Sequence, residues 1–218
     1  MKRLLSLLLS ILIFTSTYSV EGYASTDSIV HQKEDSDSKI TVVHKGTVPV
    51  DKNQMMQHDE DGEQIFASTY AITLEKKKSA TVLDTTGSYR FIATVYYSVK
   101  YLDPTNPLDK RPFAKLVKAN LSYQQLDHVA YLTSFNGGFT QTGITESGGN
   151  FDESIHNLTI PLNYSNHTKT FNVPSYFEYI SAHKDTAKAL TFWFEFDVAY
   201  RDGSSPETVN YTISIDSI

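Results

Sequence analysis

Between Leu190 and Tyr200 every second residue is large and apolar: Leu190, Phe192, Phe194, Phe196, Val198 and Tyr200. A period of two is that of an extended strand, whose side chains point alternately to its two faces. Wound as a helix, the same six residues would be spread around the whole cylinder and could not share one buried face. The segment is therefore a strand with one fully apolar side. Trp193, Glu195 and Asp197 fall on its other side. Arg201 to Pro206 (RDGSSP) is turn chemistry, and Val209, Tyr211, Ile213 and Ile215 then alternate with Thr208, Asn210, Thr212 and Ser214. The two segments read as an antiparallel hairpin closing on one core. Full burial of each large side chain stabilises by roughly 1.5–3 kcal/mol.

The same period recurs upstream. Phe66, Tyr70, Ile72 and Leu74 share one parity, with Lys76-Lys77-Lys78 as a solvated end. Tyr89, Phe91, Ala93, Val95, Tyr97, Val99 and Tyr101 form the clearest early strand, ended by Pro104 and Pro107. Further strands are expected with Val117, Ala119, Leu121 and Tyr123 on one face, then Val129, Tyr131, Thr133 and Phe135, followed by a turn at Asn136-Gly137-Gly138. His156, Leu158, Ile160, Leu162 and Tyr164 predict another strand, with His156 as a hydrogen-bonded core residue. Ile40–Val50 is β-branched, but Gly46 and Pro49 limit it to a sheet edge. Ser175 and Glu178 have capping-box spacing, which marks one short helix. Strands separated by turns, without intervening βαβ helices, predict an all-β fold: an antiparallel β-sandwich, immunoglobulin-like or jelly-roll in architecture, with a closed barrel as the alternative.

The N-terminus carries the pattern of an export signal. Met1-Lys2-Arg3 is a positive start, Leu4–Phe14 is apolar apart from Ser6 and Ser10, and Gly22-Tyr23-Ala24 offers a cleavage site after Ala24. The apolar run falls well short of the ~20 residues that span a bilayer. Three units follow: a signal peptide over residues 1–24, a polar N-terminal segment over 25–63 with a flexible tail at His31–Lys39, and a β-sandwich domain over 64–218. No membrane span is expected in the mature chain.

Composition narrows the function. The chain has no Cys, which excludes a disulfide scaffold, a thiolate zinc site and a Cys nucleophile. A secreted domain without disulfides fits a bacterial exporter. The formal net charge is −6, and losing Lys2, Arg3 and Glu21 with the leader makes the remainder more acidic still. Nucleic acid, which requires a basic face, is not an expected partner.

The candidate chemistry is sparse. His58–Glu63 (HDEDGE) has a calcium-loop flavour. With Gly62 as the loop glycine, Asp59 and Asp61 fall on ligand positions, but Gln57 and Ser68 stand where two essential carboxylates belong. The seven His form no H-x-H or H-E-x-x-H pattern, and no cofactor or metal site is expected. The sequence holds no G-x-S-x-G elbow and no P-loop. Five N-x-S/T sequons, at Asn120, Asn157, Asn163, Asn166 and Asn210, carry no consequence in a bacterium.

Trp193, Glu195 and Asp197 remain as candidate ligand-binding residues. They share the outward face of the Phe-rich strand, with Glu195 and Asp197 about 6.6 Å apart along it. An indole beside polar groups suits a sugar ring, whereas two carboxylates at this spacing suit a glycosidase. The sequence thus points to a secreted, non-enzymatic β-sandwich that binds an extracellular glycan or protein. Its rivals are a polysaccharide hydrolase using the strand carboxylates, and a β-rich toxin or self-assembling matrix protein inserting the Gly-flanked Phe139–Ser147 stretch.

Overall fold

A computed structural model describes residues 28–34, 38–50, 63–79, 82–102 and 111–215. The leader-like segment, the Asp59–Asp61 pair and the prolines at 104 and 107 lie outside the described residues. Eleven strands run in order: β1 Ser28–Glu34, β2 Ser38–Val50, β3 Gln64–Ser79, β4 Val82–Tyr101, β5 Pro112–Gln125, β6 Ala130–Ile144, β7 Asn150–Ile155, β8 Asn166–Asn172, β9 Ile180–Ser181, β10 Ala189–Tyr200 and β11 Glu207–Ser214. No helix occurs among the described residues, so none is long and apolar enough to cross a membrane. Two antiparallel sheets result. The first runs β1-β2-β3-β4-β5-β8 with β9 also on β5, and the second runs β11-β10-β6-β7. One of the two is strongly curled into a half-barrel.

The core forms where the alternating apolar faces meet. Phe192, Phe194, Phe196 and Val198 are buried on β10, and the predicted hairpin pairs Phe196 with Val209 and Phe192 with Ile213. The Phe196 ring reaches across to the first sheet, 4.7 Å from Phe91 and 6.0 Å from Tyr123 between centroids. Phe192 meets Phe171 at 6.2 Å. The β4 row of Tyr89, Phe91, Ala93, Val95, Tyr97 and Val99 is buried as its period predicts, whereas Tyr101, expected to share that face, is 45% exposed at the strand end.

Two bulges shift the expected faces. Tyr96 pairs with Lys118 and Tyr97 with Leu116, so Val117 has no opposite number. The extra residue switches parity: Ala114 and Leu116 enter the core ahead of the bulge, Ala119, Leu121 and Tyr123 after it, and Val117 is only half-buried. On β6, Asp197 pairs with Ser134 and Val198 with Leu132, which leaves Thr133 over. Ala130 and Leu132 therefore point inward, and Tyr131 and Thr133, expected inside, are exposed. Gln141 is buried on β6 with both ends of its amide bonded: Oε1 accepts from Leu116 N at 2.9 Å, and Nε2 donates to Glu178 O.

Other expectations are corrected. Asn136-Gly137-Gly138 is the interior of β6, not a turn. His156–Tyr164 forms no strand; Ile160 alone of its predicted face is fully buried, and His156 and Tyr164 are exposed. Ser175–Glu178 is a turn held by Phe177 N to Pro174 O, not a helix. His31–Glu34, read as flexible, belong to β1, an exposed edge strand paired to β2. β2 is consequently an edge only beyond His44, where Gly46 (φ 116°) carries a bulge that an L side chain would strain. Lys76 is not solvated: its ammonium lies 3.7 Å from the Tyr200 ring centre.

Phe196→Ala removes the ring that joins the sheets and should cost about 3–5 kcal/mol. Urea unfolding should show the midpoint falling with little change in slope; a loss under 1 kcal/mol would contradict this packing.

Candidate functional site

The side of β10 opposite the phenylalanines faces away from the core, and register fixes its neighbours. Trp193 stands between Gly138 of β6 and Thr212 of β11, Glu195 between Asn136 and Asn210, and Asp197 between Ser134 and Thr208. The three residues picked out in the sequence therefore sit on one face as successive rungs of a polar ladder, each half-buried.

Trp193 owes its position to a glycine. A Cβ built on Gly138 would come within 2.1 Å of Ile155 O, 2.8 Å of Trp193 Nε1 and 2.9 Å of Cε2. The indole leans over a backbone position that tolerates no side chain. The His156 ring flanks it at 5.8 Å between centroids, tilted by 49°. His156 is thus a surface neighbour of the tryptophan rather than the core residue its parity predicts. An open groove of about 420 Å³ runs alongside, lined by His31, Trp193, Glu195, Asn210, Tyr211 and Thr212 among others.

The two carboxylates differ. Asp197 is fully engaged: Ser134 Oγ donates to Oδ2 at 2.5 Å and Thr208 Oγ1 to Oδ1 at 2.7 Å. These hydroxyls, Ser134 foremost, hold its pKa below the ordinary carboxylate value of 3.8. It stays ionised at neutral pH and is unsuited to donating a proton. Glu195, between two asparagines, lines the open groove.

A different carboxylate is buried elsewhere. Glu63, read as the end of an acidic loop, is 5% exposed. Its Oε1 accepts from the Ser98 and Tyr179 hydroxyls, while Oε2 has no partner. Lys100 and Lys115 place their ammonium groups 4.1 and 4.4 Å from the Tyr179 ring centre. Glu63 thereby ties the start of β3 to β4 and to the chain leading into β9. Among the described residues, no three His, Cys, Asp or Glu converge to hold a metal ion.

Sequence reading picked out Trp193, Glu195 and Asp197 but not Gly138, Asn136 or His31, because their roles depend on cross-strand register. No protein-family model, curated protein or solved structure matches this chain.

Two outcomes test the geometry. Gly138→Ala should destabilise the fold by about 1–3 kcal/mol, as overpacking does, and shift the emission of Trp193, the single tryptophan; unchanged emission and stability would refute the close approach. Asp197 has a depressed folded pKa, so its contribution is full above 3.8 and drains as pH falls through the lower folded value. Asp197→Asn should flatten the acid limb of the stability curve, and an acid limb identical to wild type would contradict the two hydroxyl bonds.

Proposed function

We propose that the protein is a secreted, non-enzymatic glycan-binding protein whose ligand surface is the outer face of the four-stranded sheet. The observation that carries this reading is the Trp193 indole leaning over Gly138, with the groove beside it. A pyranose ring offers an apolar C–H face to an indole and hydroxyls to its surroundings. Asn210 and Thr212 beside the ring, with Glu195, Asn136 and His156 close by, supply donors and acceptors of the matching kind. Export rests on the leader pattern of residues 1–24. The carboxylates favour binding over hydrolysis. A glycosidase pair needs its ionised carboxylate free to attack the sugar or to activate water, and both oxygens of Asp197 are taken up by the Ser134 and Thr208 hydroxyls.

The test is titration with neutral oligosaccharides of the xylose, glucose and mannose series, read by the fluorescence of Trp193. At least one series should give a saturable change, and calorimetry should show Trp193→Ala weakening that sugar by about tenfold or more, equivalent to ~1.4 kcal/mol. Affinity unchanged in Trp193→Ala, or no binding across the panel, would defeat the proposal. Reducing-end release that disappears in Glu195→Gln would make the protein a hydrolase instead.

A further inference from the structure

A second cleft opens at the far end of the same strand. Eight residues separate Trp193 from Arg201, roughly 26 Å along an extended chain, so the two places are distinct. The cleft, about 480 Å³, lies between the 162–165 connection and the ends of β5, β6 and β10, with Tyr131, Asn163, Tyr164 and Arg201 among its walls. Tyr89 lies at its floor.

The walls are fixed in place. Tyr123 Oη donates to Pro161 O at 2.6 Å, and Gln125 N donates to Ser165 O at 2.7 Å, which together hold the connection against β5. The Tyr164 ring stacks on His167 at 5.3 Å and 15°, yet the residue remains 52% exposed. Across the cleft Tyr131 is 39% exposed, with the Arg201 guanidinium 5.9 Å from its ring centre. Arg201 N donates to Val129 O at 2.9 Å, which anchors its backbone at the strand end. Burial pushes the Tyr89 hydroxyl up to about 12, so it remains protonated throughout the neutral range.

Arg201 makes no ion pair among the described residues, although acidic side chains lie nearby. Asp202 turns to its own loop, its Oδ1 accepting from Ser204 N at 3.0 Å and Ser204 Oγ at 2.5 Å. Asp127 accepts from Val129 N at 3.0 Å and faces His128 at 3.5 Å. On an acidic protein, an exposed guanidinium whose neighbouring carboxylates are engaged elsewhere, beside the exposed Tyr131 ring and in one cleft with the exposed Tyr164, is a receptor for an anionic group.

We infer that this cleft is a second ligand site, which takes a saccharide or polyol chain bearing carboxylate or phosphate groups. Arg201 receives the anion, Tyr131 and Tyr164 flank the adjoining ring or polyol, and Asn163 bonds its hydroxyls. The site stands independently of the Trp193 face. Failure of neutral sugars to bind there leaves it untouched, and its own failure leaves that reading intact.

The full mature chain is titrated by calorimetry with an oligogalacturonate, an oligomer of glycerol phosphate and a neutral glucan oligomer of similar length. At least one anionic oligomer should bind through the cleft, more weakly as salt rises. The two anionic probes distinguish a carboxylate from a phosphate source. Arg201→Gln should lose about tenfold or more, and Tyr164→Ala should lose affinity as well. Arg90→Gln, which removes the same charge from an exposed site on β4, should bind like wild type. Equal losses in Arg201→Gln and Arg90→Gln would reduce the effect to net charge and overturn the site. So would full binding in Arg201→Gln, equal affinity for the neutral glucan in a Trp193→Ala background, or no binding of either anionic oligomer.

Discussion

The structure depends on the aromatic row of β10 reaching across to the facing sheet. Phe196 sits against Phe91 and Tyr123 of the first sheet and against Phe135 and Phe194 of its own. Without disulfides, cohesion between the sheets rests on such contacts, with polar ties at the periphery. Gln141 is the most buried of those ties. The bulge at Val117 disturbs the β4–β5 ladder, and the Gln141 carbonyl takes up the neighbouring Leu116 N. An irregularity in one sheet thus becomes a link to the other.

The same alternation sets the surface. Once Phe192, Phe194 and Phe196 are committed to the interior, Trp193, Glu195 and Asp197 have nowhere to point but outward, in line and at strand spacing. Antiparallel pairing with β6 and β11 then chooses their companions. Asp197 is consumed by two hydroxyls, Glu195 is left between two amides, and the indole falls over the position where β6 carries a glycine. The face therefore grades from a sealed, ionised end to an aromatic, open one. Arg201, where β10 gives way to the turn before β11, lies beyond this gradient.

Strand faces were legible in the sequence wherever the ladder runs without interruption. β4 up to Val99 and the β10–β11 hairpin have inward residues that follow from parity. Legibility ended at the bulges. Thr133 inserts one residue, so Tyr131 turns outward although the local pattern reads inward. Gly137-Gly138 carries turn chemistry by composition, but its lack of side chains serves a close approach by Ile155 and Trp193, a constraint imposed by residues distant in sequence. The His156–Tyr164 stretch alternates like a strand, yet no neighbouring strand pairs with it; it crosses as an irregular connection that buries Ile160. The outward set Trp193, Glu195 and Asp197 was readable because it needed parity alone. Its partners, and the whole cleft around Arg201, needed register.

The absence of cysteine permits a direct test of the alternation itself. Single cysteines placed in turn at positions 192 to 197, each variant checked for folding, would be labelled with a soluble maleimide under native conditions. Reaction should be fast at Trp193→Cys and Glu195→Cys, slower at the more enclosed Asp197→Cys, and strongly protected at Phe192→Cys, Phe194→Cys and Phe196→Cys. Labelling rates without that two-residue rhythm, or with the even positions reacting faster, would contradict the account.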